Sequence, residues 1–163
     1  MMSRLLRLAA IPLTAMGCTA PDSRVETRMN SEAALVGDIP LNPLSLKVIT
    51  LEADSRASTM STLFGNDIAV QYRRAHAGSD YPIGSTLSLV TWQLREDPRW
   101  FGGNIPSQPK SVEVVAVEAA AGGLPSYSYR AYEGAPLKPV LNAANQVSTR
   151  IALLLLKRAA VMP

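Results

Sequence analysis

From Leu44 onward, the chain alternates short apolar, β-branched segments with turn residues. Such segments, bounded by Gly, Pro, Asn or Asp, are typical of β-strands. The pattern predicts five strands, at residues 44–53, 59–64, 85–94, 110–118 and 126–132. The last two are separated by Gly122 and Gly123 and are candidates for a hairpin.

The third of these strands is apolar on both sides. Val90, Trp92 and Leu94 share one face, and Leu87 and Leu89 share the other. Because successive strand residues point to opposite faces, both faces of this strand are expected to be covered. We therefore predict that it lies in the centre of its sheet.

Two amphipathic helices complete the pattern. The first begins after the N-cap residue Asn66 and ends before Gly78, and the second covers about residues 139–158. One face of the second helix carries an apolar stripe made of Val147, Ile151, Leu154 and Leu155. Leu153 and Leu156 lie on the other side, where either another part of the chain or a second subunit must cover them. The sum is an α+β fold, an antiparallel sheet of about five strands with two helices packed on one face.

The first residues have the pattern of a bacterial export signal. Residues 1–17 place two arginines before an apolar stretch too short to span a bilayer. Ala15-Met16-Gly17-Cys18 resembles a lipobox, so we predict a lipoprotein signal peptide over 1–17 and a lipid anchor on Cys18. The alternative is an ordinary signal peptide and secretion to the periplasm. Residues 18–43 are then expected to form a flexible tether, and residues 44–163 a folded domain.

Composition excludes several classes of protein. The chain has 47% hydrophobic and 18% charged residues, as expected of a globular domain. A single Cys and a single His exclude a disulfide framework and a Cys/His zinc site within the domain. Basic residues are scattered among acidic ones, so we do not expect nucleic acid as a partner.

Three stretches together resemble the cytochrome P-460 family. They are Leu63–Val70 (LFGNDIAV), Tyr81–Trp92 and Asp97–Gly102 (DPRWFG), followed by the aromatic strand at Ser126–Tyr129. The likeness covers residues 44 to about 135. It implies an exported bacterial protein with an antiparallel sheet and helices, often a homodimer, so we expect a homodimer in which a second subunit covers the last helix. Haem-bearing members oxidise hydroxylamine or bind nitric oxide and similar small ligands.

The chain departs from that family at the haem site. Covalent attachment of a c-type haem needs a C-x-x-C-H motif, and residues 136–145, where the family places it, contain neither Cys nor His. We therefore expect no cofactor. The alternative is a non-covalent haem held by His76 or a tyrosine among Tyr127, Tyr129 and Tyr132. Family members can also cross-link a Lys to the porphyrin, but no motif assigns that role to Lys47, Lys110, Lys138 or Lys157.

A small pocket is expected where relatives hold their haem. Its candidate lining residues are aromatic: Phe64, Trp92, Trp100, Tyr127 and Tyr129. Trp100 and Phe101 are interpreted as a plug over the sheet or, alternatively, as a lid. No catalytic constellation is present, so we expect a small-ligand-binding or structural role in the cell envelope rather than an enzyme. A third hypothesis is an envelope protein-interaction module that uses the sheet and the last helix.

Overall fold

The computed structural model describes residues 30–160. Two short 3-10 helices, Ser31–Ala33 and Pro43–Ser45, precede the first strand. The strands are β1 (Lys47–Asp54), β2 (Thr59–Gly65), β3 (Thr86–Glu96), β4 (Asn104–Ala119), β5 (Pro125–Glu133) and β6 (Lys138–Val140). The helices are α1 (Asp67–Ala75) and α2 (Ala144–Leu156). None of the helices within residues 30–160 is long and apolar enough to cross a membrane.

The strands form one antiparallel sheet in the order β1-β2-β3-β4-β5-β6. The predicted α+β class is therefore confirmed, with six strands rather than about five. The sixth strand lies where the second helix was expected to begin, so the expected start near Pro139 is wrong. Pro139 is opposite Tyr132 in the ladder, and a proline is tolerated there because β6 is an edge strand. Helix α2 begins five residues later, at Ala144.

The central position predicted for β3 is confirmed. Leu87 and Leu89 are buried on the side of the sheet that both helices cover, which we call the helix face. Val90 and Trp92 are buried on the other side, which we call the opposite face. The predicted β4–β5 hairpin is also present, with Ser111 opposite Glu133 and Ala119 opposite Pro125.

Both helices pack on the helix face, as expected. Asn66 caps α1, since its side chain accepts a hydrogen bond from the Ala69 amide and donates one to the Gly84 carbonyl. Leu154 and Leu155 are the buried residues of α2. Arg73 of α1 connects the two helices, because its buried guanidinium donates to the carbonyl oxygens of Ala77 and Leu155. A cation is favoured there by the partial negative charge at the C-terminal ends of α1 and α2.

Residues 30–46 cover part of the opposite face. Side chains from this segment pack against the second apolar cluster: Ala33, Leu35, Ile39 and Leu46. Trp92 Nε1 donates to the Ala33 carbonyl at 2.9 Å, and the Leu137 amide donates to the Val36 carbonyl at 2.8 Å. Residues 30–43, expected to belong to a tether over 18–43, are thus packed on the sheet. Their apolar side chains contact the buried rings and branched side chains of that face, and residues 18–29 lie outside the described residues.

Candidate functional site

An open cleft of about 510 Å³, which we call the α2 cleft, lies between the N-terminal half of α2 and strands β4 and β5. Nearly all of its lining residues have polar side chains: Ser111, Glu113, Tyr129, Ala131, Glu133, Asn142, Asn145, Gln146, Thr149 and Arg150. The register of the hairpin brings the strand residues together, since Ser111 pairs with Glu133 and Glu113 pairs with Ala131. The volume of the cleft lies within the range of small-molecule sites, and polar side chains converge on it.

Glu113 is the central residue of the cleft. It lies in β4 and is only 6% exposed. One carboxylate oxygen accepts hydrogen bonds from Tyr129 Oη at 2.7 Å and from Arg150 Nε at 2.8 Å. Arg150 Nη2 donates to the other oxygen, which completes a bidentate ion pair. A bidentate charge-assisted pair fixes orientation as well as adding energy, so the pair holds α2 in place above the sheet.

The same contacts determine the protonation of the cluster. Burial, and then the hydrogen bond to Glu113, raise the pKa of the Tyr129 phenol. The hydrogen bond to the Glu113 carboxylate raises the pKa of the Arg150 guanidinium. At neutral pH Tyr129 is therefore a neutral donor and Arg150 a permanent cation. The cluster suits binding and orientation of a ligand better than proton transfer.

The rim of the cleft consists of exposed amide and hydroxyl groups from the start of α2 and the segment before it. They belong to Asn142, Asn145, Gln146 and Thr149. Glu133 adds an exposed carboxylate from the end of β5. These groups offer both donors and acceptors to a ligand.

Sequence reasoning missed this cluster. The sequence feature that could have revealed it is a single charged residue, Glu113, within the apolar run from Val112 to Val117. A charge in the middle of a buried strand is uncommon unless it is paired. The partner was not evident because Arg150 lies 37 residues further along the chain.

The structure does not bring the predicted pocket residues together. Phe64 and Trp92 are buried on the opposite face, whereas Tyr129 lines the cleft on the helix face. Tyr127 lies on the same side of β5 as Tyr129 and is 39% exposed. Trp100 lies in the turn between β3 and β4 and is 74% exposed. The sheet therefore separates Phe64 and Trp92 from Tyr127 and Tyr129, because the two pairs point to opposite faces. The turn carries Trp100 away from the sheet.

The residues suggested as ligands of a non-covalent haem have other contacts. The ring of His76 stacks on Tyr72 with 4.6 Å between ring centroids. Tyr129 donates to Glu113, and Tyr132 is buried in the apolar cluster of the opposite face. The stacked ring of His76 and the buried ring of Tyr132 do not face an open cavity, whereas Tyr129 lines the cleft with its hydroxyl donated to Glu113. Within residues 30–160 there is also no group of three or more His, Cys, Asp or Glu side chains that could hold a metal ion.

No protein-family model matches the chain, and no curated protein matches it. The resemblance to cytochrome P-460 therefore stays a prediction. The signal peptide at 1–17 and the lipid anchor at Cys18 lie outside the described residues, so they also stay predictions.

Proposed function

We propose that this protein is a lipid-anchored binding protein of the bacterial cell envelope, facing the periplasm, which holds a small polar ligand in the α2 cleft and carries no covalent haem. The cleft supports the binding role through one observation. The Glu113 carboxylate is held by Tyr129 and Arg150, so polar groups are already oriented at the base of an open site. Export and anchoring are supported by the leader and by the position of the only Cys.

The charges of the cleft favour one class of ligand. Arg150 offsets the charge of Glu113, which leaves the exposed carboxylate of Glu133 as the remaining charge of the lining. A neutral or cationic ligand is therefore favoured over an anionic one. The amide and hydroxyl groups of the rim suit a ligand with several hydrogen-bonding groups.

The binding role can be tested by NMR titration with three small polar probes that differ in charge: the dication putrescine, neutral glucose and the dianion succinate. We expect shifts at Glu113, Tyr129 and Gln146 with the first or second probe and the weakest response with succinate. Asn142→Ala with Gln146→Ala should weaken the response, whereas Gln71→Ala, an exposed amide on α1, should leave it unchanged. Shifts that are absent, or that persist unchanged in the double variant, would argue against the cleft.

The anchor has its own test. Cys18→Ala should move the protein from the membrane fraction to the soluble fraction, because a lipoprotein's several acyl chains make anchoring stable. Mass spectrometry of the wild-type protein should show an acylated N-terminus at Cys18. An unmodified Cys18 in protein recovered from the periplasm would support the ordinary signal peptide.

Non-covalent haem binding is the alternative function that the resemblance implies. It predicts a Soret band in protein purified from haem-replete cells and a melting temperature raised by haem. We expect neither. A Soret band that survives purification would replace the proposed function with a haem protein that binds small ligands such as nitric oxide.

We also propose that the protein is a homodimer whose interface includes α2. Leu153 and Leu156 are 49% and 58% exposed, while Leu154 and Leu155 of the same helix are buried. Exposed apolar side chains on neighbouring turns are typical of an interaction surface. The other candidate, an envelope protein-interaction module, would use the same two leucines to bind a different protein.

A further inference from the structure

Strands β3 and β4 extend beyond the rest of the sheet at one end. β3 pairs with β2 only as far as Gln93, and β4 pairs with β5 only from Ser111 onward. Beyond these points the two strands pair with each other, out to Glu96 opposite Asn104. The result is a two-stranded ribbon that projects from the sheet and ends in the turn 97–103.

Hydrogen bonds hold this turn in a defined conformation. The Asp97 side chain accepts from the Arg99 amide at 2.9 Å, and the Asp97 amide donates to the Gly103 carbonyl at 2.9 Å. The Gly103 amide donates to the Trp100 carbonyl, also at 2.9 Å. Gly102 has a φ of +75°, a conformation that suits glycine. The turn is thus built to present its central side chains outward.

Those side chains are two adjacent aromatic rings. Trp100 is 74% exposed and Phe101 is fully exposed. They neither plug the sheet nor cover the α2 cleft, which is lined by other residues. Two neighbouring aromatic side chains at a projecting tip leave a large apolar area in water, which marks a contact site.

The shape and position of the tip favour a bilayer over a protein partner. A convex tip can enter the headgroup region of a bilayer without a matching groove, and Trp is enriched at membrane interfaces because its ring is apolar and its N–H is polar. The first residues that the structure describes, 30–32, contact the domain at this ribbon. Asn30 Nδ2 donates to the Pro106 carbonyl at 2.6 Å, and Glu32 forms an ion pair with Arg95 at 2.9 Å.

The proposed anchor therefore lies within reach of the tip. Cys18 precedes Asn30 by twelve residues, which span at most about 40 Å when fully extended. We propose that Trp100 and Phe101 insert into the interface of the bilayer that holds the lipid anchor, as a second membrane contact that orients the domain. The orientation of the domain depends on the proposed lipid anchor, whereas the insertion depends only on the exposed aromatic side chains of the tip.

The charges near the tip predict the lipid preference. Arg95 and Arg99 are matched by Glu96 and Asp97, so the tip has no net charge. Insertion is then driven by the rings and should depend little on anionic lipid or on salt.

Fluorescence quenching in vesicles tests the insertion. The protein as processed by its bacterial host is reconstituted into phosphatidylcholine vesicles with or without brominated acyl chains, and flotation measures how much protein is bound. In the floated protein we expect blue-shifted Trp100 emission that the brominated lipid quenches, with buried Trp92 unaffected. The matched control combines Trp100→Ser with Leu124→Trp, because Leu124 is similarly exposed at the far end of β4 and should place a tryptophan in water.

Each result decides a different point. Floated protein whose Trp100 stays accessible to aqueous iodide would overturn the insertion while leaving the anchor intact. Protection of Trp100 only in envelope extract would indicate a protein partner and would also overturn it. If the wild-type protein does not float, the anchor is wrong. Insertion of the tip is then tested by measuring how the protein partitions into excess vesicles. The double variant Trp100→Ser with Phe101→Ser should lower the partition coefficient roughly tenfold or more.

Discussion

The two faces of the sheet are covered in different ways. The helix face is covered by α1 and α2, which are held partly by charged groups. These are the buried Arg73 between the helices and the ion pair of buried Glu113 with the partly exposed Arg150. Part of the opposite face is covered by residues 30–46, through apolar contacts and through backbone carbonyls that accept hydrogen bonds. This difference indicates that the polar chemistry of the domain is concentrated on the helix face. The opposite face contributes mainly stability.

The largest expected effect comes from the opposite face. Phe64→Ala should lower the free energy of unfolding by about 3–5 kcal/mol, because it removes a buried ring from the cluster beneath residues 30–46. Urea denaturation measures the loss, and NMR titration of the cleft should show unchanged probe binding in the folded protein. Leu154→Ala is the matched change on the helix face, with an expected loss of about 2–5 kcal/mol. A loss of probe binding in Phe64→Ala would show that the opposite face also determines the binding properties of the cleft.

The ion pair between Glu113 and Arg150 should contribute less to the free energy of unfolding than Phe64 or Leu154 does. It should have more influence on the pKa of Tyr129. Glu113→Gln should cost about 1–2 kcal/mol, since Arg150 loses its charged partner but is partly exposed to water. The same change should lower the pKa of Tyr129, because the carboxylate that accepts its hydrogen bond and repels the phenolate is gone. Absorbance of the phenolate during alkaline titration measures this shift.

The sign of the pH dependence follows from the raised pKa of Tyr129. Protonated Tyr129 stabilises the folded state fully below the ordinary tyrosine pKa of about 10, and that contribution is lost as the pH rises through the higher folded-state pKa. Glu113→Gln should therefore reduce the part of the alkaline stability curve that Tyr129 contributes. An unchanged tyrosine titration in the variant would mean that burial alone raises the pKa.

The smallest change in monomer stability is expected at the outer side of α2. Leu153→Glu with Leu156→Glu should leave the unfolding free energy within about 0.5 kcal/mol, after allowing for dimer dissociation, because both side chains are exposed in the monomer. Light scattering should show a dimer for the wild-type protein and a monomer for the variant. A wild-type protein that is monomeric at micromolar concentration would contradict the homodimer. Leu153 and Leu156 would then be assigned to an interface with a different protein.

Local pattern was sufficient for several elements of this fold. Alternating residues in β3 indicated burial on both faces, and the spacing along α2 separated Leu154 and Leu155 from Leu153 and Leu156. The Asn66 cap marked the start of α1. These features depend on periods of two and 3.6 residues and on one capping residue, all of which are readable within a short stretch of chain.

Contacts between distant residues were decided only by the tertiary structure. Val36 meets Leu137, and Glu113 meets Arg150, through backbone and side-chain hydrogen bonds that no local pattern specifies. The strand β6 forms because β5 provides an edge to pair with, although Pro139 suggested the first turn of a helix. Trp100 and Phe101 are expected from the sequence to form a plug over the sheet or a lid, yet the length of the β3–β4 ribbon carries them beyond the sheet. Periodicity within one segment determines which face a side chain takes, whereas strand register and chain path determine which distant groups it meets.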